Sequence, residues 1–269
     1  MTHLFGAWKE FLRSWSVGTP GRHLMLFFDY DGTLTPIEAT PQRALLSPQT
    51  RQVLKDLAGF TACSLVIISG RALADLKKKV GLEGIAYVGN HGLEIEDRDF
   101  HFEDPVPADF LSTLKTIQEK IRKRLAPIDG ILIEDKGLTL SVHYRLANAL
   151  KEPVIRDIVE EICSPFQIRH KIRIDRGKKV LELKPALDWN KGKAVLWLLH
   201  KRALSQGAGG VFAVYVGDDV TDEDAFKALQ NKGATVFVGE PGPSHAQYYL
   251  KNPGEVVEFL NRLRTILKP

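Results

Sequence analysis

Two aspartates lie two positions apart, directly after an apolar segment. Residues 24–28 are all apolar, and Asp29-Tyr30-Asp31-Gly32-Thr33 follows them. At the end of a buried strand, one carboxylate can attack an electrophile such as phosphorus, while a second acid protonates the leaving oxygen and later activates water. The spacing therefore predicts Asp29 as a nucleophile and Asp31 as its acid and base.

An acidic cluster lies near the other end of the chain. The stretch 217–224 reads Gly-Asp-Asp-Val-Thr-Asp-Glu-Asp, five acids in eight residues. We expect Thr221 to cap the next helix, which accounts for the later acids but not for Asp218 and Asp219. Attack of a carboxylate on a phosphate dianion needs countercharge, which Mg²⁺ with oxygen ligands supplies. We predict Asp218 as a metal ligand, with Asp219 and Asp222 as alternatives for the second acid of the metal site.

A serine and a lysine offer groups that bind phosphate. Ser69 follows a mostly apolar segment, so that its hydroxyl and the neighbouring backbone N–H groups can bind phosphate oxygens. Lys191 can neutralise a transferring phosphoryl group, with Lys193 as the alternative. Taken alone, a helix-capping serine and a solvated lysine are the simpler interpretations. The prediction of a phosphate site therefore depends on the clusters lying together.

The polar clusters follow segments that we predict as strands. Strands are predicted at 24–28, 64–68, 85–88, 211–216 and 235–238, and helices at 47–57, 72–79, 193–204, 222–229 and 255–267. The alternation indicates an α/β fold with a Rossmann-like, doubly wound parallel sheet. In such sheets ligands bind beyond the carboxyl ends of the strands, where these clusters are expected to converge.

The pattern changes between about residues 106 and 184, after the linker Pro105-Val106-Pro107. A helix at 108–125 with strands at 131–134 and 138–144 is followed by a helix at 152–162 with strands at 167–174 and 179–183, around a turn at 175–177. We therefore predict an inserted α+β cap, the substrate-specificity domain, at 106–184. The core domain then comprises residues 1–105 and 185–269.

Composition narrows the class of protein. The 269 residues are 44% apolar, carry a net charge of +4 and include two cysteines, which argues against a disulfide framework. Because a membrane-spanning segment and a signal peptide are not recognised, we expect a soluble, cytoplasmic protein with no membrane partner. Nucleic acid is not expected, because the basic run at 169–179 lacks interleaved aromatic residues.

Four motifs occur in the order found in phosphatases of the haloacid dehalogenase (HAD) type. They are Asp29-Tyr30-Asp31-Gly32-Thr33-Leu34, Ser69-Gly70-Arg71, Asn190-Lys191-Gly192 and the acidic stretch 217–224. Together with Gly89-Asn90-His91-Gly92 and Ser141-Val142-His143-Tyr144-Arg145, they make the chain resemble the trehalose-6-phosphate phosphatases over residues 24–240.

This resemblance implies an activity and a set of site residues. It implies Mg²⁺-dependent hydrolysis of trehalose 6-phosphate through a phosphoaspartate, the final step of trehalose biosynthesis, and a functional link to a trehalose-6-phosphate synthase. Asp29 would be the nucleophile, Asp31 the acid and base, and Ser69 and Lys191 the phosphate binders. The metal would be held by Asp29, Asp31 (through its main-chain carbonyl), Asp218 and Asp222 (through water). Substrate contacts are expected from Arg71, Asn90, His91, Glu134, Lys136, Arg145, Lys178 and Glu182.

Other functions share the same core motifs. The substrate could be another glycosyl phosphate, such as sucrose 6-phosphate or glucosylglycerol phosphate. A sugar-phosphate mutase would need a bisphosphate activator and would release little phosphate. A catalytically silent sugar-phosphate sensor would bind without turnover, but it has no need of an acid such as Asp31 beside the nucleophile.

Overall fold

A computed structural model describes residues 1–15, 22–102, 106–206 and 210–268 of the chain. The chain divides into two units, Met1–Phe102 with Trp189–Pro269, and Glu103–Asp188. Pro105 of the predicted linker lies outside the described residues.

One or two strands precede each α-helix along the described chain. In chain order the described strands are β1 Thr2–His3, β2 His23–Asp29, β3 Cys63–Ile68, β4 Ala86–Gly89, β5 Glu94–Glu96, β6 Leu132–Asp135, β7 Leu140–His143, β8 Ile172–Gly177, β9 Val180–Pro185, β10 Val211–Gly217, β11 Gly233–Val238 and β12 Tyr248–Leu250. The described α-helices are α1 Trp8–Trp15, α2 Pro48–Ala58, α3 Leu73–Val80, α4 Phe110–Leu125, α5 Glu152–Ile168, α6 Lys191–Gln206, α7 Glu223–Ala228 and α8 Pro253–Leu267.

The first unit is built on one sheet. Among the described residues its strand order is β1-β12-β11-β10-β2-β3-β4-β5, and all neighbours are parallel except β4 and β5. The predicted α/β fold with a mostly parallel sheet is therefore confirmed. β2 lies between β10 and β3, so that the end of β2 occupies the middle of the carboxyl edge.

Apolar clusters cover both faces of this sheet. Every residue of β2 is buried, and alternate side chains enter opposite clusters because neighbouring residues of a strand point to opposite faces. Leu26 and Phe28 pack in the cluster that contains Phe259 of α8. Phe27 packs in the cluster that contains Leu198 of α6. A strand buried on both faces is apolar throughout, which explains the run 24–28.

The second unit repeats a helix–strand–strand arrangement, as predicted. α4 precedes β6 and β7, and α5 precedes β8 and β9. The strands form an antiparallel sheet of order β6-β7-β9-β8. One apolar cluster joins the helices to the sheet through buried residues that include Ile117, Val159, Leu181 and Leu183.

Two details of the second unit differ from prediction. The predicted strand at 167–174 is wrong at its start, because α5 continues past Pro165 to Ile168 and β8 begins only at Ile172. The predicted turn at 175–177 lies within β8, since Gly177 pairs with Val180. The chain turns at 178–179 instead, where Lys179 takes a positive φ of 67°.

No helix in the described part of the chain combines the length and the apolar character needed to cross a membrane.

Both cysteines are buried and free of disulfides. Burial raises the pKa of the Cys63 and Cys163 thiols to about 12 in each case. Because the thiolate is the reactive form, we expect native protein to resist iodoacetamide at about pH 8, and both thiols to react in denaturant. Mass spectrometry of intact protein measures the outcome, and rapid native alkylation of either cysteine would contradict it.

Candidate active site

The end of β2 places Asp29 at the buried centre of the sheet edge. Asp29 is 5% exposed, and the chain turns immediately beyond it at Gly32, whose φ is 93°. A Cβ at position 32 would come within 2.2 Å of Asp218 Oδ2. Glycine is therefore required here both by the backbone conformation and by the close approach of the Asp218 carboxylate.

Lys191 joins two of the predicted acids. Its Nζ lies 2.6 Å from Asp29 Oδ1 and 2.7 Å from Asp222 Oδ1, and the lysine is only 2% exposed. Lys191 is the first residue of α6, so the helix start carries the ammonium group to the end of β2. The structure thereby brings together residues that are 162 positions apart in sequence.

Asp222 is fixed from several sides. The Tyr215 hydroxyl donates to its Oδ1 at 2.7 Å, and the backbone N–H groups of Asp218 and Asp219 donate to its Oδ2 at 3.0 and 2.9 Å. Sequence reasoning missed Tyr215, because an aromatic residue inside an apolar strand is indistinguishable from a core residue. With both oxygens bonded, Asp222 anchors Lys191 and the loop that carries Asp218.

Asp219 has a capping role. It forms a capping box with Asp222 at the start of the short 3₁₀ helix 220–222. The prediction that Thr221 caps this region is therefore wrong, since the chain enters the helical turn two residues earlier. Of the two alternatives for the second acid of the metal site, the geometry favours Asp222, because Asp219 lies outside the carboxylate group described next.

Three buried carboxylates could hold a metal ion. One oxygen each from Asp29, Asp218 and Asp222 lie within 4.8 Å of one another. The Asp31 carboxylate lies outside this group and accepts hydrogen bonds from Arg71, which leaves its main-chain carbonyl as a possible ligand. Oxygen donors of this kind suit a hard divalent cation.

The charge balance of the site supports the same conclusion. Burial raises the pKa of Asp29 well above its ordinary value; Lys191 opposes this rise, and Asp222 and Asp218 add to it. Burial by itself lowers the pKa of Lys191, but Asp222 and Asp29 raise it well above its ordinary value, so the lysine stays charged. Lys191 contacts two of the three carboxylates, and a divalent cation bound among them would favour the ionised form of Asp29.

The role of Gly32 can be tested directly. Gly32→Ala is expected to displace Asp218 and weaken binding of a divalent cation, with Mg²⁺ as the probe, by about 10–100-fold, the usual loss when a support of a metal ligand is removed. Calorimetric titration of the purified protein measures this affinity. Gly84→Ala is the matched control, since Gly84 also has a positive φ, 75°, but no atom lies within 4 Å of its added Cβ. Equal Mg²⁺ affinity in folded Gly32→Ala and wild-type protein would contradict the assignment.

Ser69 lies just beyond the carboxyl end of β3 and is buried. Its Oγ accepts the backbone N–H of Arg71 at 3.2 Å, and its own N–H donates to the Val88 carbonyl at 2.9 Å. Ser69 follows Ile68, which pairs with Asp29 in the sheet register. The predicted phosphate binder therefore lies at the same edge as the predicted nucleophile.

Arg71 contacts Asp31, the residue predicted to act as both acid and base. Its Nε and Nη2 donate to Asp31 at 2.7 and 2.6 Å, and its Nη1 donates to Asp75 at 2.8 Å. Nη2 also donates to the Pro41 carbonyl at 2.8 Å. In this structure the guanidinium group fixes Asp31, and the predicted contact of Arg71 with substrate stays a prediction.

Asn90 and His91 support the Ser69 segment. Both have positive φ, 46° and 57°, in the left-handed region that non-glycine residues seldom adopt. Their N–H groups donate to the carbonyls of Arg71 and Ser69 at 2.7 and 3.0 Å. A Cβ at Gly70 would meet His91 Nε2 at 2.3 Å, so the ring packs directly on that glycine. Strained backbone of this kind is concentrated at functional sites.

The remaining predicted residues lie in the second unit. Glu134, Ser141 and Glu182 occupy paired positions on β6, β7 and β9. Lys136 Nζ lies 2.7 Å from Glu182 Oε1. Arg145 and Lys178 are exposed, and the Arg145 guanidinium donates to the Lys178 carbonyl at 2.8 Å. The structure thus places Glu134 and Glu182 on one sheet and Lys136 in the turn between β6 and β7, from which it reaches Glu182. Arg145 and Lys178 lie beyond other strand ends.

Comparison with known proteins identifies relatives of the chain. The family model described as Trehalose-phosphatase matches residues 27–253. The trehalose-phosphate phosphatase of Mycobacterium tuberculosis is 36% identical over 259 residues, which cover 93% of this chain and 64% of that protein. Probable trehalose-phosphate phosphatase 3 of Oryza sativa subsp. japonica is 35% identical over 276 residues, which cover 96% of this chain and 73% of that protein. The chain thus spans less than two thirds of the mycobacterial relative.

A solved structure shares the fold. The C-terminal domain of Candida albicans trehalose-6-phosphate phosphatase superimposes with a TM-score of 0.82 over 96% of each chain, at 24% identity. The family model covers most of the chain and the two relatives exceed 30% identity, in agreement with the resemblance of the ordered motifs. The chain therefore belongs to the trehalose-phosphatase family.

Proposed function

We propose that the chain hydrolyses trehalose 6-phosphate to trehalose and phosphate, with Asp29 as the nucleophile. The observation that carries this proposal is the buried contact of Lys191 with Asp29 and Asp222 at the centre of the sheet edge. It places a cation on the predicted nucleophile, in a chain whose relatives are named for this activity.

In the first step, an Asp29 carboxylate oxygen bonds to phosphorus and the bond from phosphorus to the sugar oxygen breaks. Asp31 gives its proton to that oxygen, so that trehalose leaves as a neutral alcohol. Arg71 donates a hydrogen bond to each oxygen of the Asp31 carboxylate. The backbone between Asp29 and Asp31 limits the separation of the two side chains. Lys191 keeps the nucleophile oriented through a charge-assisted hydrogen bond.

In the second step, water attacks phosphorus of the phosphoaspartate. Asp31 accepts a proton from the water, the acyl–phosphate bond breaks, and Asp29 is regenerated as a carboxylate. The Ser69 hydroxyl and the Lys191 ammonium group bind oxygens of the transferring phosphoryl group in both steps. The same acid and base therefore serves both halves of the reaction.

We infer that the divalent cation is Mg²⁺. Asp29, Asp218 and the main-chain carbonyl of Asp31 would hold it directly, and Asp222 through water. When bound, Mg²⁺ neutralises charge on the phosphoryl group and favours the ionised form of Asp29. Three buried carboxylates that offer only oxygen donors support this choice over softer metals.

Sugar recognition is assigned to the second unit. Glu134, Lys136 and Glu182 are the proposed partners of sugar hydroxyl groups, with Arg145 and Lys178 at the strand ends. Charged groups held on a sheet suit a ligand with many hydroxyls. Cytoplasmic location, a functional link to a trehalose-6-phosphate synthase and the contacts of Arg71, Asn90 and His91 with substrate stay predictions.

Phosphate release from a panel of substrates tests the proposed function. The panel contains trehalose 6-phosphate, sucrose 6-phosphate, glucosylglycerol phosphate and glucose 6-phosphate, each with and without Mg²⁺. We expect the largest kcat/KM for trehalose 6-phosphate, and loss of turnover in chelator. Rapid turnover of another sugar phosphate with trehalose 6-phosphate inert would overturn the substrate, and binding without release under every metal would overturn the enzyme assignment.

A further inference from the structure

The sheet of the second unit has one polar face. On β9, Leu181 and Leu183 enter the apolar cluster with the helices, so Glu182 and Lys184 project from the opposite face. Glu182 is 8% exposed and Lys184 is 3% exposed. Sequence reasoning singled out Glu182 but not Lys184, which looks like an ordinary solvated lysine on a strand.

Four charges form a connected chain on this face. Lys136 Nζ lies 2.7 Å from Glu182 Oε1, and Lys184 Nζ lies 3.2 Å from Glu182 Oε2. Lys184 Nζ lies a further 3.0 Å from Asp175 Oδ2 on β8. The Ser141 hydroxyl also donates to Glu182 Oε1, at 3.2 Å. Both oxygens of Glu182 are therefore held by cations, and Lys184 is itself held from the far side.

Such a network is an inefficient way to stabilise a small sheet. Removing charges from water is expensive, and apolar side chains of similar volume often serve stability equally well. The network does restrict three long side chains to one arrangement before any ligand binds. Charged groups fixed in advance bind a polyhydroxylated ligand better, because less side-chain freedom is lost on binding.

We propose that Lys184, held by Asp175, is a positioning residue that fixes Glu182 and Lys136 for binding sugar hydroxyls, and so determines substrate specificity. This proposal rests on the proposed function, in which Glu182 and Lys136 bind the sugar. Lys184 acts through Glu182 and takes no part in phosphoryl transfer. Its loss should weaken recognition of the sugar and leave the chemistry on a phosphate ester without a sugar intact.

The test compares two substrates in two variants. Lys184→Met keeps an unbranched side chain one atom shorter and without charge. Asp175→Asn removes the support of Lys184 at a partly exposed site, where folding is less at risk. The KM for trehalose 6-phosphate is expected to rise about 10-fold in Lys184→Met and about 3-fold in Asp175→Asn, as for the loss of a buried hydrogen-bonding partner. For p-nitrophenyl phosphate, kcat/KM should stay within about 2-fold of wild type, since this ester presents no sugar hydroxyls.

Lys171→Met is the matched control. Its ion pair with Asp109, at 2.8 Å, is a more exposed contact in the same unit, and the KM for both substrates should be unchanged. A parallel fall in activity towards both substrates, or an unchanged KM for trehalose 6-phosphate in folded variants, would overturn the proposal. If Lys184→Met does not fold, Asp175→Asn decides.

Failure of the proposed function is visible separately, in wild-type protein. If wild type hydrolyses a different sugar phosphate, the substrate assignment fails, and the same comparison is made with the sugar phosphate that it does hydrolyse. A selective rise in that KM would support the positioning role. If wild type hydrolyses no sugar phosphate, both the proposed function and the positioning role of Lys184 are wrong.

Discussion

Asp29→Asn protein is expected to release phosphate from trehalose 6-phosphate at least about 10⁴-fold more slowly than wild type, because the amide cannot form the covalent intermediate. The substitution removes one charge without a change of volume. It also leaves one carboxylate fewer in a group of three buried carboxylates, so the fold should persist. Phosphate release under saturating substrate and Mg²⁺ measures the effect.

Asp56→Asn is the matched control for this loss. Asp56 lies on α2 and pairs with Arg264 on α8, away from the cluster of site residues. Turnover of Asp56→Asn protein should equal that of wild type. Wild-type turnover in Asp29→Asn, after mass spectrometry has excluded deamidation, would overturn the role of Asp29.

Lys191→Met is expected to lose both stability and activity. The substitution leaves the buried carboxylates of Asp29 and Asp222 without their shared cation, and breaking a buried ion pair in this way typically lowers the free energy of unfolding by about 3–5 kcal/mol. Turnover should fall about 10³-fold, because a cation that binds the transferring phosphoryl group is lost. Urea denaturation without metal and phosphate release with Mg²⁺ measure the two effects.

Lys193→Met is the matched control for Lys191→Met, because Lys193 is another lysine in the first turn of α6. Lys193 lies one position beyond Gly192 on α6, and its backbone N–H donates to the Asn190 side chain at 3.0 Å. The free energy of unfolding and the turnover of Lys193→Met protein should remain near those of wild type. If Lys191→Met matched Lys193→Met in both measurements, the buried cation would have no role in the site.

Strands of four or more residues were predictable from sequence, and strands of two or three residues were not. β2 and β10 are apolar runs followed by polar residues, so their parallel arrangement and common edge follow from the pattern. β1, β5 and β12 have only two or three residues each, too few for any periodicity to appear. α1 also went unrecognised, although it buries Phe11 and Trp15 against the core.

The site was predictable to the extent that sheet topology determines it. Because parallel strands end at one edge, Asp29, Ser69 and the acidic stretch were expected to meet, and Asp29 with Asp218 and Asp222 do so. The pairing of Arg71 with Asp31, the Tyr215 hydrogen bond and the capping role of Asp219 depend on side-chain rotamers and loop conformation. Local sequence does not determine these, since many partners were chemically possible for each group.

Rapid acid quenching shows directly whether the phosphoryl group is transferred through Asp29. Wild-type protein is mixed with Mg²⁺ and trehalose 6-phosphate carrying a radioactive phosphoryl group, quenched at successive times and digested to peptides. We predict labelled protein that appears before free phosphate, with the label on the peptide that contains Asp29. Release of labelled phosphate with no labelled protein at any time, or a label on a different residue, would show that Asp29 is not the nucleophile.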